Sequence, residues 1–135
     1  MKFSKELPTK LEIIPQVIDE LLGQIDESFF GKNDAFHIKL CLEEALVNAM
    51  KHGNKLNPDF TVNLAAEADS EALLITIVNQ GDGFEHESID DPTKEHNLRK
   101  PSGRGVFIIK TEMDEVEFFD QGRGLKMTKF FNKEK

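Results

Sequence analysis

The sequence predicts an α+β fold, with helices on one face of a mixed, mostly antiparallel sheet. Three observations carry that expectation. Two stretches before residue 55 have helical apolar spacing, two β-branched runs follow them around a short polar turn, and a further helix and hairpin close the chain. The order β-α-α-β-β-(long loop)-α-β-β is that of a single domain over residues 1–135.

The opening residues suit a short strand ended by Pro8. Leu11 to Ile25 then carries apolar residues at 11, 14, 18, 21, 22 and 25, the stripe of a first helix. Phe29 to Asp34 reads as a break and an N-cap, and the run from Ala35 to His52 stops on Gly53-Asn54, which predicts a second helix. Phe60 to Glu67 and Ala72 to Asn79 form a hairpin about Asp69-Ser70-Glu71. Gly81 to Gly105 is rich in Gly, Pro and charge and far longer than a usual connector, so it reads as a lid or binding loop. Val106 to Met113 predicts a short third helix, and Val116 to Phe119 with Leu125 to Phe131 a last hairpin, with Gly122-Arg123-Gly124 as its turn.

Composition narrows the function. With 17 Lys+Arg against 25 Asp+Glu the chain carries −8, which opposes binding to the many phosphates of a nucleic acid or an anionic membrane. The one cysteine, Cys41, makes no internal disulfide, and its buried-edge setting favours packing over nucleophilic duty. His37, His86 and His96 share no metal spacing. No leader-like or membrane-length apolar run is present, so a soluble, cytoplasmic domain is expected.

Three patterns carry candidate chemistry. Glu44, Asn48 and His52 recur every four residues, so an ideal helix sets them on one face. A solvated edge is the plain explanation, yet Asn is a poor helix former, and its amide with a carboxylate one turn away could hold an oxygen-ligated Mg²⁺ or position an attacking group. Asn79-Gln80-Gly81-Asp82-Gly83-Phe84 follows a strand and is, alone, a glycine turn. Ser102-Gly103-Arg104-Gly105 precedes the third helix, where free backbone N–H groups would cradle an anion. No Walker loop and no dinucleotide fingerprint is present.

In this order, Glu44-Ala-Leu-Val-Asn48-Ala-Met-Lys51-His52-Gly53, Gly81-Asp82-Gly83-Phe84 and Pro101-Ser102-Gly103-Arg104-Gly105-Val106 resemble the N-box and glycine boxes of the GHKL superfamily of ATP-binding domains. Met113-Asp114-Glu115-Val116 and the short length narrow the resemblance to the anti-sigma-factor serine/threonine kinases of the RsbW and SpoIIAB type, over residues 34–131. The resemblance implies a Bergerat-type two-layer sandwich with a long ATP lid from about Phe84 to Ser102. It makes Glu44 the general base for a substrate hydroxyl and Asn48 the Mg²⁺ ligand. Lys51 and His52 fall where the family has polar residues near the nucleotide. Asn79, Gly81, Gly83, Phe84, Ser102, Gly103, Arg104, Gly105 and Val106 complete the ATP contacts.

Two positions depart from the family pattern. Asn79 stands where the family has the Asp that accepts the adenine amino group, and Gly124 is followed by Leu125 instead of Thr, with Thr128 the nearest substitute. The resemblance further implies ATP and Mg²⁺ as cofactors, a STAS-domain anti-anti-sigma protein as substrate, a sigma factor as regulated partner, and a homodimer in a bacterial partner-switching pathway. The alternative is a non-catalytic binding switch of the same fold with weakened or lost ATP binding.

Overall fold

A computed structural model of the chain describes residues 1–81 and 101–131, with residues 101–104 described by their backbone alone. Strand β1 (Lys2–Pro8) leads through a 3₁₀ turn into α1 (Ile14–Gly23), and a second 3₁₀ turn at Glu27–Phe29 precedes α2 (Asp34–Val47). The hairpin β2 (Thr61–Ala68) and β3 (Ala72–Asn79) follows; α3 (Pro101–Glu112) then returns the chain to β4 (Glu115–Phe119) and β5 (Gly124–Phe130). The sheet order is β1-β2-β3-β5-β4. Every pairing among the described residues is antiparallel, in keeping with the mostly antiparallel sheet the sequence predicts. Because α3 carries the chain past β3 to the far edge, β5 folds back into the space between β3 and β4.

The pleat decides which residues meet the helices. Leu73, Ile75 and Ile77 of β3 lie opposite Lys129, Met127 and Leu125 of β5, and all but Lys129 are buried. Val62, Leu64 and Ala66 extend that layer through β2, and Phe3 and Leu7 through β1. Against it pack Ile14, Val17, Ile18 and Leu21 of α1, spaced one helical face apart, and Ile38, Leu42, Ala45 and Leu46 of α2. The opposite face of the sheet carries no helix among the described residues; Ser4, Ala65, Thr76, Lys126 and Glu117 cross it in one row.

Three local readings change in ways that matter for the site. At the start of α2 the cap is reversed: Asn33 is left-handed, with φ 68°, and makes no capping bond. Asp34, the first helical residue, reaches back to accept the Gly31 N–H at 2.6 Å. The end of the second helical run is not α-helical either, because residues Asn48–Gly53 form a π turn in which the Asn54 N–H bonds to Ala49 O at 2.8 Å. Single π turns concentrate at functional sites, since the extra residue per turn re-aims the side chains that follow. The third helix begins at Pro101, five residues before Val106, with proline in the first turn where its missing N–H costs nothing. Glycines that read as loop are therefore helical.

Candidate functional site

Glu44 and Asn48, one turn apart, face α3 where Gly105 passes. A Cβ on Gly105 would lie 2.9 Å from Asn48 Nδ2 and 3.0 Å from Glu44 Oε2, so the glycine leaves the space in which the two side-chain ends lie against α3. Asn48 is 5% exposed, and its Nδ2 is buried without a hydrogen-bond partner. Such a group costs roughly 1–3 kcal/mol unless something satisfies it. Glu44 is half-buried, and one of its oxygens lies against Gly105. A half-turn about the last side-chain torsion exchanges the two ends of the Asn48 amide; the nitrogen end donates to a phosphate oxygen, and the oxygen end ligates a hard cation. One carboxylate and one amide fit Mg²⁺, which keeps waters and takes phosphate oxygens for the rest of its shell. No cluster of three His, Cys, Asp or Glu exists among the described residues, so a protein-only metal cage is absent from that part of the chain.

The second half of the site lies at the end of β3. Asn79, 3% exposed, lines a narrow cleft with Ala45, Asn48, Ala49, Ile77, Ile109, Phe118 and Leu125, its free volume about 10 Å³. That is room for about one water, so a planar base enters only if α3 and the β4–β5 connection give way. Larger hollows of about 350 Å³ lie on the open face of the sheet by Ser4, Ala65 and Leu74, away from every buried polar group named above. Size alone does not mark the site. Convergent buried polar groups do.

At this end the backbone is tightly held. Gly81 N–H donates to Asn54 Oδ1 at 2.7 Å, and Gly81 O accepts from Arg123 Nε at 3.0 Å and, at a longer 3.4 Å, from Asn79 Nδ2. The Asn79 N–H bonds to Arg123 O at 2.9 Å, continuing the β3–β5 ladder by one residue. Gly53 ends the π turn with ordinary negative φ; its missing side chain serves contact, because a Cβ there would fall 2.6 Å from the Asn79 amide. The left-handed residues that turn the chain come later, at Lys55 and Leu56.

The remaining candidates separate. Within the π turn, Lys51 is exposed, and His52 is half-buried and does not line the cleft. Burial, and then the Lys51 charge, hold the His52 imidazole below its usual 6.5. Val106 is fully buried beneath the first turns of α3. Ser102, Gly103 and Arg104 occupy the first turn itself, so the free N–H groups belong to that turn and Gly105 lies one residue inside it. Gly83, Phe84 and the lid through residue 100 lie outside the described residues.

Thr128 is placed on the open face of the sheet, opposite Leu74 and Glu115, and does not reach the cleft. The β5 residue that does is Leu125. Cys41 is fully buried, and burial followed by the Glu112 charge pushes its thiol up to about 12, as befits packing. Sequence reading missed Asn54, Arg123 and Phe118. Asn54 had passed as a helix stop and Arg123 as a hairpin turn; nothing local signals that their side chains reach Gly81.

This combination, a five-stranded antiparallel sheet covered by helices with Glu and Asn facing a glycine of the third, fits an ATPase-type domain. A family model described as a histidine kinase-like ATPase domain matches residues 7–129, and the chain belongs to that family. Within it, the chain is 28% identical over 136 residues to a Staphylococcus epidermidis protein named serine-protein kinase RsbW, covering 95% of this chain and 86% of that protein. It is 29% identical to the Staphylococcus aureus (strain JH9) protein of that name, with the same coverage. The Bacillus licheniformis protein of that name is 28% identical, over 95% of this chain and 84% of its own. No helix among the described residues is long and apolar enough to cross a membrane.

Proposed function

We propose that the chain is an ATP- and Mg²⁺-dependent protein serine/threonine kinase of the anti-sigma type, with a STAS-domain anti-anti-sigma protein as its substrate and a sigma factor as its second partner. A cytoplasmic homodimer in a partner-switching pathway suits this role. One observation carries the reading: the half-buried Glu44 carboxylate and the unpartnered Asn48 Nδ2 lie together where Gly105 of α3 meets α2. Phosphoryl transfer asks a protein mainly for positioning and charge neutralisation, with one group to take the hydroxyl proton. Glu44 would take that proton from the substrate serine or threonine as the hydroxyl oxygen bonds to the γ-phosphorus of ATP, the bond from that phosphorus to ADP breaking and ADP leaving. Asn48 would hold the cation or a phosphate oxygen through whichever amide end is turned toward it, and the N–H groups of the first turn of α3 would be available to phosphate. Mg²⁺, when bound, neutralises the phosphate oxygens and lines them up for displacement.

A second reading has a specific observation behind it. Asn79 stands where this family uses Asp, beside a cleft with room for about one water, and a chain that had lost nucleotide binding would persist as a pure binding switch. Calorimetry with Mg-ATP separates the two. Binding by the wild type supports the kinase, whereas no binding by the wild type together with binding by Asn79→Asp leaves only the switch.

A further inference from the structure

The side of α2 that presents Glu44 also carries an apolar row. Phe36, Leu40 and Glu44 follow one another at four-residue steps, and α2 is α-helical through Val47, so the three lie along one side of it. Phe36 is 65% exposed, more than any other large apolar side chain among the described residues, and Leu40 is half-buried. Single exposed apolar residues are ordinary, but these two stand in line with a carboxylate to which the site gives chemical work.

Helix α3 borders the same row. His37 Nε2 meets Glu112 Oε2 at 3.5 Å, and further along Gly105 passes Glu44 and Asn48, so the two helices touch on either side of Leu40. Ile108, one turn from both Gly105 and Glu112, is half-buried on the α3 side of this seam. The Phe36 ring is set edge-on to the His37 ring, with centroids 5.8 Å apart, so it leans toward the seam. At 1.5 Å of rise per residue, Leu40 lies roughly 6 Å and Phe36 roughly 12 Å from Glu44 along the helix axis.

We infer that this seam docks the protein substrate: it receives the segment that bears the acceptor serine or threonine, through apolar side chains of that segment packed on Leu40, Ile108 and Phe36. This deepens the kinase reading given above and rests on it. A hydroxyl that gives its proton to Glu44 must lie against that carboxylate, and the residues flanking it then fall along the two helices. The nucleotide does not compete for the seam, because Asn48 and the cleft at Asn79 lie on the C-terminal side of Glu44 and the apolar row on its N-terminal side. Lys39 and Glu43, both exposed beside the row, carry opposite charges, so apolar contact and not charge selects the segment.

The test uses the full chain, Mg-ATP and the STAS-domain proteins of the same organism, each tried in turn as phosphate acceptor. Phe36→Gln places a good helix former at an exposed position, so the fold is kept, and KM for the acceptor protein should rise about tenfold. Leu40→Gln should raise it likewise. Phe36→Leu, which keeps an apolar contact, should restore most of the loss. Phe130→Gln, at a side chain 50% exposed on the open face of the sheet, should leave KM alone. Mg-ATP dissociation constants of the seam variants, by calorimetry, should match the wild type. A wild-type KM in folded Phe36→Gln or Leu40→Gln overturns the inference, as does a loss confined to kcat. Sedimentation tests the rival occupant: if Phe36→Gln splits a wild-type dimer, the seam belongs to a second copy of the chain and the inference falls. Transfer by the wild type that ignores the seam variants sinks this inference alone, whereas transfer to none of the acceptor proteins sinks the kinase reading with it.

Discussion

The two ends of the site are built on opposite terms. Around Gly81 the chain satisfies itself: the Asn54 side chain spends its oxygen and its amide hydrogens on protein groups, and Arg123 closes the far side. Around Gly105 the chain leaves capacity unspent, because a buried amide nitrogen of Asn48 has no partner and Glu44 keeps some exposure. Both ends depend on a glycine that lets two segments touch, but at one the neighbours are backbone and at the other they are side-chain tips. A backbone held by its own hydrogen bonds at the end of β3 and an unfinished hydrogen-bond set between α2 and α3 divide the site into a part the chain completes and a part left for a ligand.

The largest effect should come from the unfinished end. Glu44→Gln keeps the size and polarity of the side chain and removes only its ability to take a proton, so phosphoryl transfer to a serine- or threonine-bearing substrate should fall roughly 10²–10⁴-fold while Mg-ATP affinity stays within a few fold. Single-turnover transfer and calorimetry on the same protein read the two quantities apart. An unchanged transfer rate would remove Glu44 from this role.

The two glycines then give a paired experiment. In Gly81→Ala the new carbon meets Gly53 O at 2.4 Å and Asn54 Cα at 2.8 Å, backbone that cannot step aside, and urea unfolding should show a loss of about 1–3 kcal/mol. In Gly105→Ala the carbon meets only the ends of Glu44 and Asn48, which can swing away, and alanine in a helix gains up to about 1 kcal/mol over glycine. Stability should hold or rise there while Mg-ATP affinity falls, because the methyl takes the space between the two polar groups. Equal stability losses at both positions would erase the contrast between the two ends.

Legibility in the sequence followed the same division. The elements themselves, and the pairing of Glu44 with Asn48, were readable because periodicity of 3.6 and of 2 is written into the order of apolar residues. β3 was read with both of its bounds. The N-terminus of α3 was not, because Gly103 and Gly105 carry loop propensity, and what recruits glycine into this helix is contact with residues some 60 positions earlier. The π turn was equally invisible, because the four-residue spacing from Glu44 through Asn48 to His52 reads as continuous α-helix and carries no mark of the change of hydrogen-bond register at Asn48. Asn54 and Arg123 escaped for a related reason, since each looks like ordinary turn chemistry until the strand ends they bridge are brought together.

His52 supplies the smallest and most selective test, because it lies within the π turn but away from the cleft and belongs to neither end. Its imidazole titrates below 6.5 in the folded protein through burial and then the Lys51 charge, whereas in the unfolded chain it titrates near 6.5. Between those two values the unfolded state binds more protons, so stability is complete above pH 6.5 and declines as pH falls toward the folded value, then levels off. His52→Gln should flatten that part of the urea midpoint against pH, leaving the neutral-pH midpoint nearly as it was; because His52 is partly solvated, the change is modest. Mg-ATP affinity at neutral pH should stay within a few fold, since His52 does not line the cleft. A large affinity loss without the pH flattening would instead bring His52 back beside the nucleotide and require the π turn to rewind on binding.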